Sequence, residues 1–207
     1  RLRCDWSSDV CSSDLASFNA LLHHTAESAN AATSVDDAIS NRLKDVCRHL
    51  GWHTGMAWFP SKDDPNFLVP SEITYFAKPR KYAAYKKDAL AKTYQSGEAI
   101  TGTVYKEAKP LWRSIRNLKT SRVKNALACG LQTLIISPVM QGPKVAAVIE
   151  FTTELDMPMD EDLLLAFKQI SIQIGRVIER QELTEKLQQS EAHLRHFAAS
   201  SDRKSVV

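Results

Sequence analysis

A chain of 207 residues, 43% of them hydrophobic, can bury one sizeable core, so a single domain with an extension is the expected organisation. The net charge of +3 is too small for the broad basic field of a nucleic-acid surface. No apolar run reaches the roughly 18 residues of a membrane span, although a larger parent protein could still carry one.

Residues 1–15, RLRCDWSSDVCSSDL, carry no periodicity and resemble a recurring adapter-derived translation at the ends of contaminated gene models. Asp202 to Val207 reads as the same kind of scar, which leaves 16–201 as the natural chain. The charges removed with the two ends cancel. Cys4 and Cys11 fall in the first scar, and Cys47 and Cys129 remain without CxxC or metal spacing, as in a reducing, cytoplasmic compartment.

Ser17 to Ala32 is alanine-rich and places Phe18, Leu22, Thr25, Ala29 and Ala32 on one face, a leading helix on whose surface His23 and His24 sit without partner ligands. Ser34 with Asp37 forms a capping-box-like start for a second helix. Val35, Ile39, Leu43, Val46 and Leu50 form its buried stripe, Cys47 lies beside it as a small core residue, and Gly51 ends it. The period then changes. Met56 to Phe59 predicts a strand stopped by Pro60, Lys62 to Asn66 a polar turn, and Ile73 to Phe76 a second strand. The basic aromatic stretch KPRKYAAYKKDALAKTY predicts a helix from about Tyr82 to Thr93, whose lysines read as a solvated face.

Gly97 and Gly102 bracket a short helix, Ala99 to Lys106, where they permit close backbone packing; no Walker-type lysine follows them. Pro110 opens a strand through Ile115, and Ser121 to Cys129 is a short helix ended by Gly130. Thr133 to Met140 and Val145 to Thr153 form the strongest strand signal, a hairpin across Gln141 and Gly142 with the glycine at the second central position. Pro138 belongs on an edge or at a bulge. Glu150 points to the opposite face from Ile149 and Phe151, either to solvent, which is the ordinary place for a carboxylate, or into a pocket as a polar contact.

From Asp160 the chain reads as one long helix to Phe197, roughly 55 Å at 1.5 Å per residue. Leu163, Phe167, Ile170, Ile174 and Val177 form a stripe that packs on a domain. Leu183, Leu187, Ser190, Leu194 and Phe197 continue at coiled-coil spacing, out of phase with that stripe near Arg180.

Three stretches, GEAITGTVYKEAKPLW (97–112), GLQTLIISPVMQGPKVAAVIEF (130–151) and DEDLLLAFKQISIQIGRVIER (160–180), resemble bacterial GAF sensor domains in sequence and order. The resemblance covers 34–180. It implies an α+β fold, a central antiparallel sheet of five or six strands with the terminal helices on one face and the short middle helices on the other. The tail 181–201 resembles a signalling helix entering a PAS domain whose remainder is replaced by the scar. A ligand, where the family has one, lies between sheet and middle helices. Here that implies apolar walls from Phe76, Trp112, Leu127, Leu134 and Ile136, with Tyr105, Arg113, Arg122, Thr133 and Glu150 as polar candidates.

Departures from the family pattern narrow the ligand. Cyclic-nucleotide-binding members carry an Asn-Lys pair with downstream Phe and Asp-Glu, whereas this chain has the reversed Lys124-Asn125 and an Asp160-Glu161 at a helix start. Cys129 lies too near its strand to carry a bilin, and two cysteines are too few for a sulfoxide reductase of this fold. No cofactor or metal is expected. No nucleophile, base and orienter stand at recognisable spacing, so a non-enzymatic sensor is expected, relaying the state of a small molecule or partner domain to a missing histidine kinase or diguanylate cyclase. The expected partner is a second copy, paired through the leading and final helices, with no membrane contact in this piece. The alternative is a ligand-free dimerisation module.

Overall fold

The computed structural model describes residues 34–118, 120 and 122–202. The leading helix expected at 17–32, the segment 1–15 and residues 203–207 lie outside the described residues.

Helix α1, Val35–His49, begins at Ser34, whose hydroxyl accepts the Asp37 amide at 3.1 Å and donates to the Asp37 carboxylate at 2.8 Å. Strands β1 (Thr54–Pro60) and β2 (Phe67–Phe76) form a hairpin, followed by α2 (Ala83–Leu90), a two-residue strand β3 (Tyr94–Gln95) and α3 (Ala99–Glu107). Strand β4 (Leu111–Ser114) leads through a 3-10 turn at Ile115–Asn117 to α4 (Arg122–Ala128). The hairpin β5 (Thr133–Gln141) and β6 (Lys144–Thr153) and the long helix α5 (Glu161–Asp202) complete the described chain. The strands form one antiparallel sheet in the order β3-β2-β1-β6-β5-β4.

The sheet has two covered faces, and strand alternation assigns each residue to one of them. On the back face, Ile39, Leu43 and Val46 of α1 and Phe167, Ile170 and Ile174 of α5 pack with Ile135, Ile149 and Phe151 around Trp52. On the front face, α2, α3 and α4 cover Met56, Trp58, Leu134, Ile136 and Val148. This is the α+β arrangement the resemblance implies, with six strands.

Four local expectations need correction. Strand β2 begins six residues earlier than Ile73. Pro70 makes the run look broken, but it stands opposite Trp58 where β1 carries an irregularity, and only Phe67 and Leu68 pair with β3 on the far side. Helix α2 ends at Leu90, because Tyr94 and Gln95 leave it to pair with β2. The hairpin turn is Gly142-Pro143, since Gln141 pairs with Lys144; the glycine is therefore at the first central position, with φ +55°. The final helix runs five residues past Phe197.

Pro138 sits where expected. Strand β4 pairs only with Thr133 to Ile136, so beyond Ile136 the outer side of β5 is a free edge, and a bulge follows at Val139 and Met140.

Helix α5 starts where Asp160 accepts the Leu163 amide at 2.9 Å. Its 42 residues span roughly 63 Å. The buried stripe is wider than the sequence suggests, taking in Ala166, Ser171 and Ile178, with the Ser171 hydroxyl donating to Ser137 at 2.8 Å. At Gly175 a Cβ would run into the Met140 carbonyl at the β5 bulge, so the helix meets the sheet backbone to backbone there. Among the side chains described from Glu182 onward, all are exposed. No helix among the described residues is long and apolar enough to cross a membrane.

Candidate functional site

Glu150 lies in the middle of β6, between Met56 of β1 and Ile136 of β5, both fully buried. Its own exposure is 1%. The more ordinary expectation, a solvent-facing carboxylate, is thus overturned: alternation fixes the face but not the depth, and β6 is an inner strand whose front face is roofed by helices.

A carboxylate at such a place must be compensated. Arg122, in the first turn of α4, supplies the charge as a two-pronged fork, Nη2 to Oε1 at 2.5 Å and Nη1 to Oε2 at 3.0 Å. From α2, the Tyr85 hydroxyl donates to Oε1 at 2.7 Å and accepts from Arg122 Nη2 at 2.5 Å. From β3, the Tyr94 hydroxyl accepts from Nη1 at 3.5 Å. The guanidinium carbon stands 4.9 Å from the Tyr85 ring centroid and 5.5 Å from that of Trp58. Burial alone would lower the Arg122 pKa, yet the facing carboxylate and the hydroxyls drive it well above its ordinary value. Burial pushes the Tyr85 phenol well up and raises that of Tyr94, with Arg122 opposing both.

Beside this network is a cavity of about 30 Å³ bordered by Tyr85, Tyr94, Ile100, Arg122, Leu134 and Glu150. That is room for one or two water-sized groups. Two buried donors of the front layer, Arg122 Nε and Trp58 Nε1, have no acceptor among the described residues.

A second fastening joins α2 to the end of β6. The Glu154 carboxylate accepts from Lys81 Nζ at 2.6 Å and from the Tyr82 hydroxyl, with His53 Nε2 at 3.9 Å. The Lys81 and Tyr82 hydrogen bonds hold the Glu154 pKa down at about 2. Burial lowers the His53 pKa, and His53 Nδ1 accepts the Glu154 amide at 3.2 Å, which leaves its other nitrogen to carry the proton. Tyr82 and Tyr85, three residues apart, thus hold two carboxylates four residues apart, one inside β6 and one just past its end.

Of the residues expected at the site, the structure brings together Arg122, Glu150 and Ile136, with Leu134 in the chamber wall. Phe76 is marginal, its ring 6.4 Å from that of Tyr82 and 5.5 Å beneath Lys86 Nζ. Tyr105 donates to the Pro65 carbonyl at 2.8 Å on the outside of α3. Arg113 is exposed and donates to its neighbour's carbonyl, and Leu127 is 39% exposed.

Trp112 and Thr133 are on the back face, separated from the chamber by the sheet. Trp112 packs edge-on to Trp52 and donates to the Met157 carbonyl at 3.3 Å, while Thr133 Oγ1 donates to the Leu155 carbonyl at 2.7 Å. Their place follows from β4 pairing, which sets Trp112 against Ile135 and Ser114 against Thr133.

Sequence reasoning missed Tyr85, Tyr94 and Trp58. The available signal was the Tyr82 and Tyr85 spacing on one face of α2, which the surrounding lysines disguised as a solvated surface. Cys47 and Cys129 lie in opposite cores. Among the described residues, no three His, Cys, Asp or Glu side chains are grouped to hold a metal ion.

The architecture is a GAF-like α+β fold. No family model and no curated protein matches the chain. Solved structures do. The GAF domain of a phosphoenolpyruvate-protein phosphotransferase from Coxiella burnetii superposes with TM-score 0.64 at 12% identity, over 82% of this chain and 96% of that one. The free methionine-R-sulfoxide reductase of Neisseria meningitidis, solved with its substrate, gives 0.63 at 12% identity, over 88% and 98%. A phycocyanobilin-bound GAF domain of a cyanobacterial phytochrome gives 0.62 at 13% identity, over 81% and 96%.

Proposed function

We propose that the chain is a sensory or regulatory GAF module of a bacterial signal-transduction protein, which passes the state of its front-face chamber, or of a neighbouring domain, through α5. The observation that carries this reading is a single helix with two environments. Up to Ile178 α5 is part of the back core, and beyond it Leu183 and Leu187 are each 61% exposed at a spacing suited to a partner helix. A ligand can bias such a device only by its differential affinity for two states of the helix. The partner in this reading is a second copy, paired along α5 and the leading helix. The module is cytoplasmic and non-catalytic and feeds a PAS domain and then a histidine kinase or diguanylate cyclase of a longer parent.

The test is to fuse residues 16–201 to a dimeric histidine-kinase core and to delete one to four residues from Gln181 onward. Output should rise and fall with helical phase; output indifferent to all four deletions refutes the relay.

The small volume of the chamber favours a second reading, a ligand-free dimerisation module. The two separate in a thermal-shift screen with metabolite pools, where a ligand at a hundredfold its dissociation constant stabilises by about 2.7 kcal/mol and a ligand-free module does not respond.

A further inference from the structure

We propose that the front-face chamber is a carboxylate-binding site whose resident ligand is the chain's own Glu150, so that a small external monocarboxylate binds only when Glu150 vacates it. This deepens the reading of the chamber as the input site and does not depend on the relay through α5.

The donors to the Glu150 carboxylate all come from the front layer. Oε1 receives Arg122 Nη2 and the Tyr85 hydroxyl, and Oε2 receives Arg122 Nη1. The guanidinium also has the Tyr85 and Trp58 rings at 4.9 Å and 5.5 Å, contacts that favour a cation at this place. A guanidinium fork with a phenol beside it matches the two oxygens of a carboxylate, and its single positive charge balances a monoanion and not a dianion. The charge balance is one to one among the chamber's lining groups: Arg122 is the cation, Glu150 the anion, and the tyrosines are held neutral by their raised pKa values. A second anion therefore cannot enter beside Glu150 without leaving a buried negative charge uncompensated.

Size points the same way. The four atoms that Glu150→Ala removes, Cγ, Cδ and two oxygens, are the heavy atoms of an acetate ion. The adjoining 30 Å³ adds room for about one more group of methyl size, and Arg122 Nε still has a bond to give. Formate, acetate and propionate thus span the range the vacated site accepts.

The test uses the full chain with Glu150→Ala, in sodium formate, acetate or propionate against sodium chloride at equal ionic strength. Glu150→Ala should melt several degrees below the parent, because Arg122 is left buried without its partner. Acetate should restore about 5 °C in a saturable manner while chloride does not. The parent protein and the double variant Arg122→Met/Glu150→Ala should show no carboxylate-specific shift. Rescue by chloride equal to that by acetate, equal response of the parent, or folded Glu150→Ala without rescue each overturns the proposal.

Should Glu150→Ala fail to fold, Glu150→Ser keeps one polar atom in the place of Cγ and still vacates the three carboxylate atoms, the size of a formate ion. Saturation-transfer NMR with formate should then give a signal for Glu150→Ser and none for the parent. A signal absent from both, or equal in both, overturns the proposal.

Discussion

Substituting Gly175 by alanine sets two known effects against each other. In an isolated helix the change is favourable by about 0.8–1.0 kcal/mol, because glycine loses more backbone freedom. In this fold the new Cβ would stand 3.1 Å from the Met140 carbonyl carbon and closer still to its oxygen. The obstacle is backbone at a bulge, with no rotamer to turn away, so relief requires α5 to lift from β5. Overpacking of that kind costs about 1–3 kcal/mol, and a backbone obstacle puts it at the upper end. The expected net is a loss of about 1–2 kcal/mol, or roughly 2–8 °C for a domain of this size. Urea denaturation with a thermal melt measures it, and amide exchange should show protection falling in both β5 near Met140 and α5 near Gly175. A variant as stable as the parent or more so would refute the close-approach reasoning and leave Gly175 as an ordinary surface-type helix glycine.

Replacing Arg122 by methionine should cost about 3–5 kcal/mol in urea denaturation, since it leaves Glu150 buried and unpaired, whereas Arg122→Met/Glu150→Leu should recover at least half of that. Glu154 has a folded pKa below its ordinary value, so its contribution is complete above about pH 4.5 and lost as the pH falls towards 2; Glu154→Gln should abolish about 1 kcal/mol of that acid dependence in pH-resolved melts, a figure reduced for screening at this part-exposed site. Burial drives the Cys47 thiol pKa strongly up, so it should resist iodoacetamide at pH 8 in the native protein and react fully in urea, with labelling read by mass spectrometry.

What the sequence made legible was whatever depends on period. The α1 stripe, the Ser34 cap, the β5–β6 hairpin and the point near Arg180 where α5 leaves the domain all follow from spacings of two, three or four residues. Depth is a different matter. Glu150 and a surface glutamate look alike in a strand until the order of strands shows that β6 is flanked on both sides and roofed. Trp112 and Thr133 were misplaced because the resemblance named a region and not a face, and a one-residue step in β4 carries a side chain through the sheet. Tyr94 falls unassigned just past the end of the expected helix because a strand of two residues is too short for alternation to register. Gly175 looked like a blemish in a good helix; only the facing Met140 carbonyl shows that no other residue fits.

Helix α5 is packed in the back core as far as Ile178, is held once more where Gln141 Nε2 donates to Glu182 at 2.8 Å, and continues for a further 20 positions, roughly 30 Å. Such an arm magnifies angle into distance. A pivot of about 5° at the Gly175 contact carries its far end through roughly 3 Å, more than half the 5.4 Å pitch of a helix, while side chains at the fulcrum shift by only a few tenths of an ångström. A core that can remain close-packed throughout is therefore compatible with a large stroke at the tip.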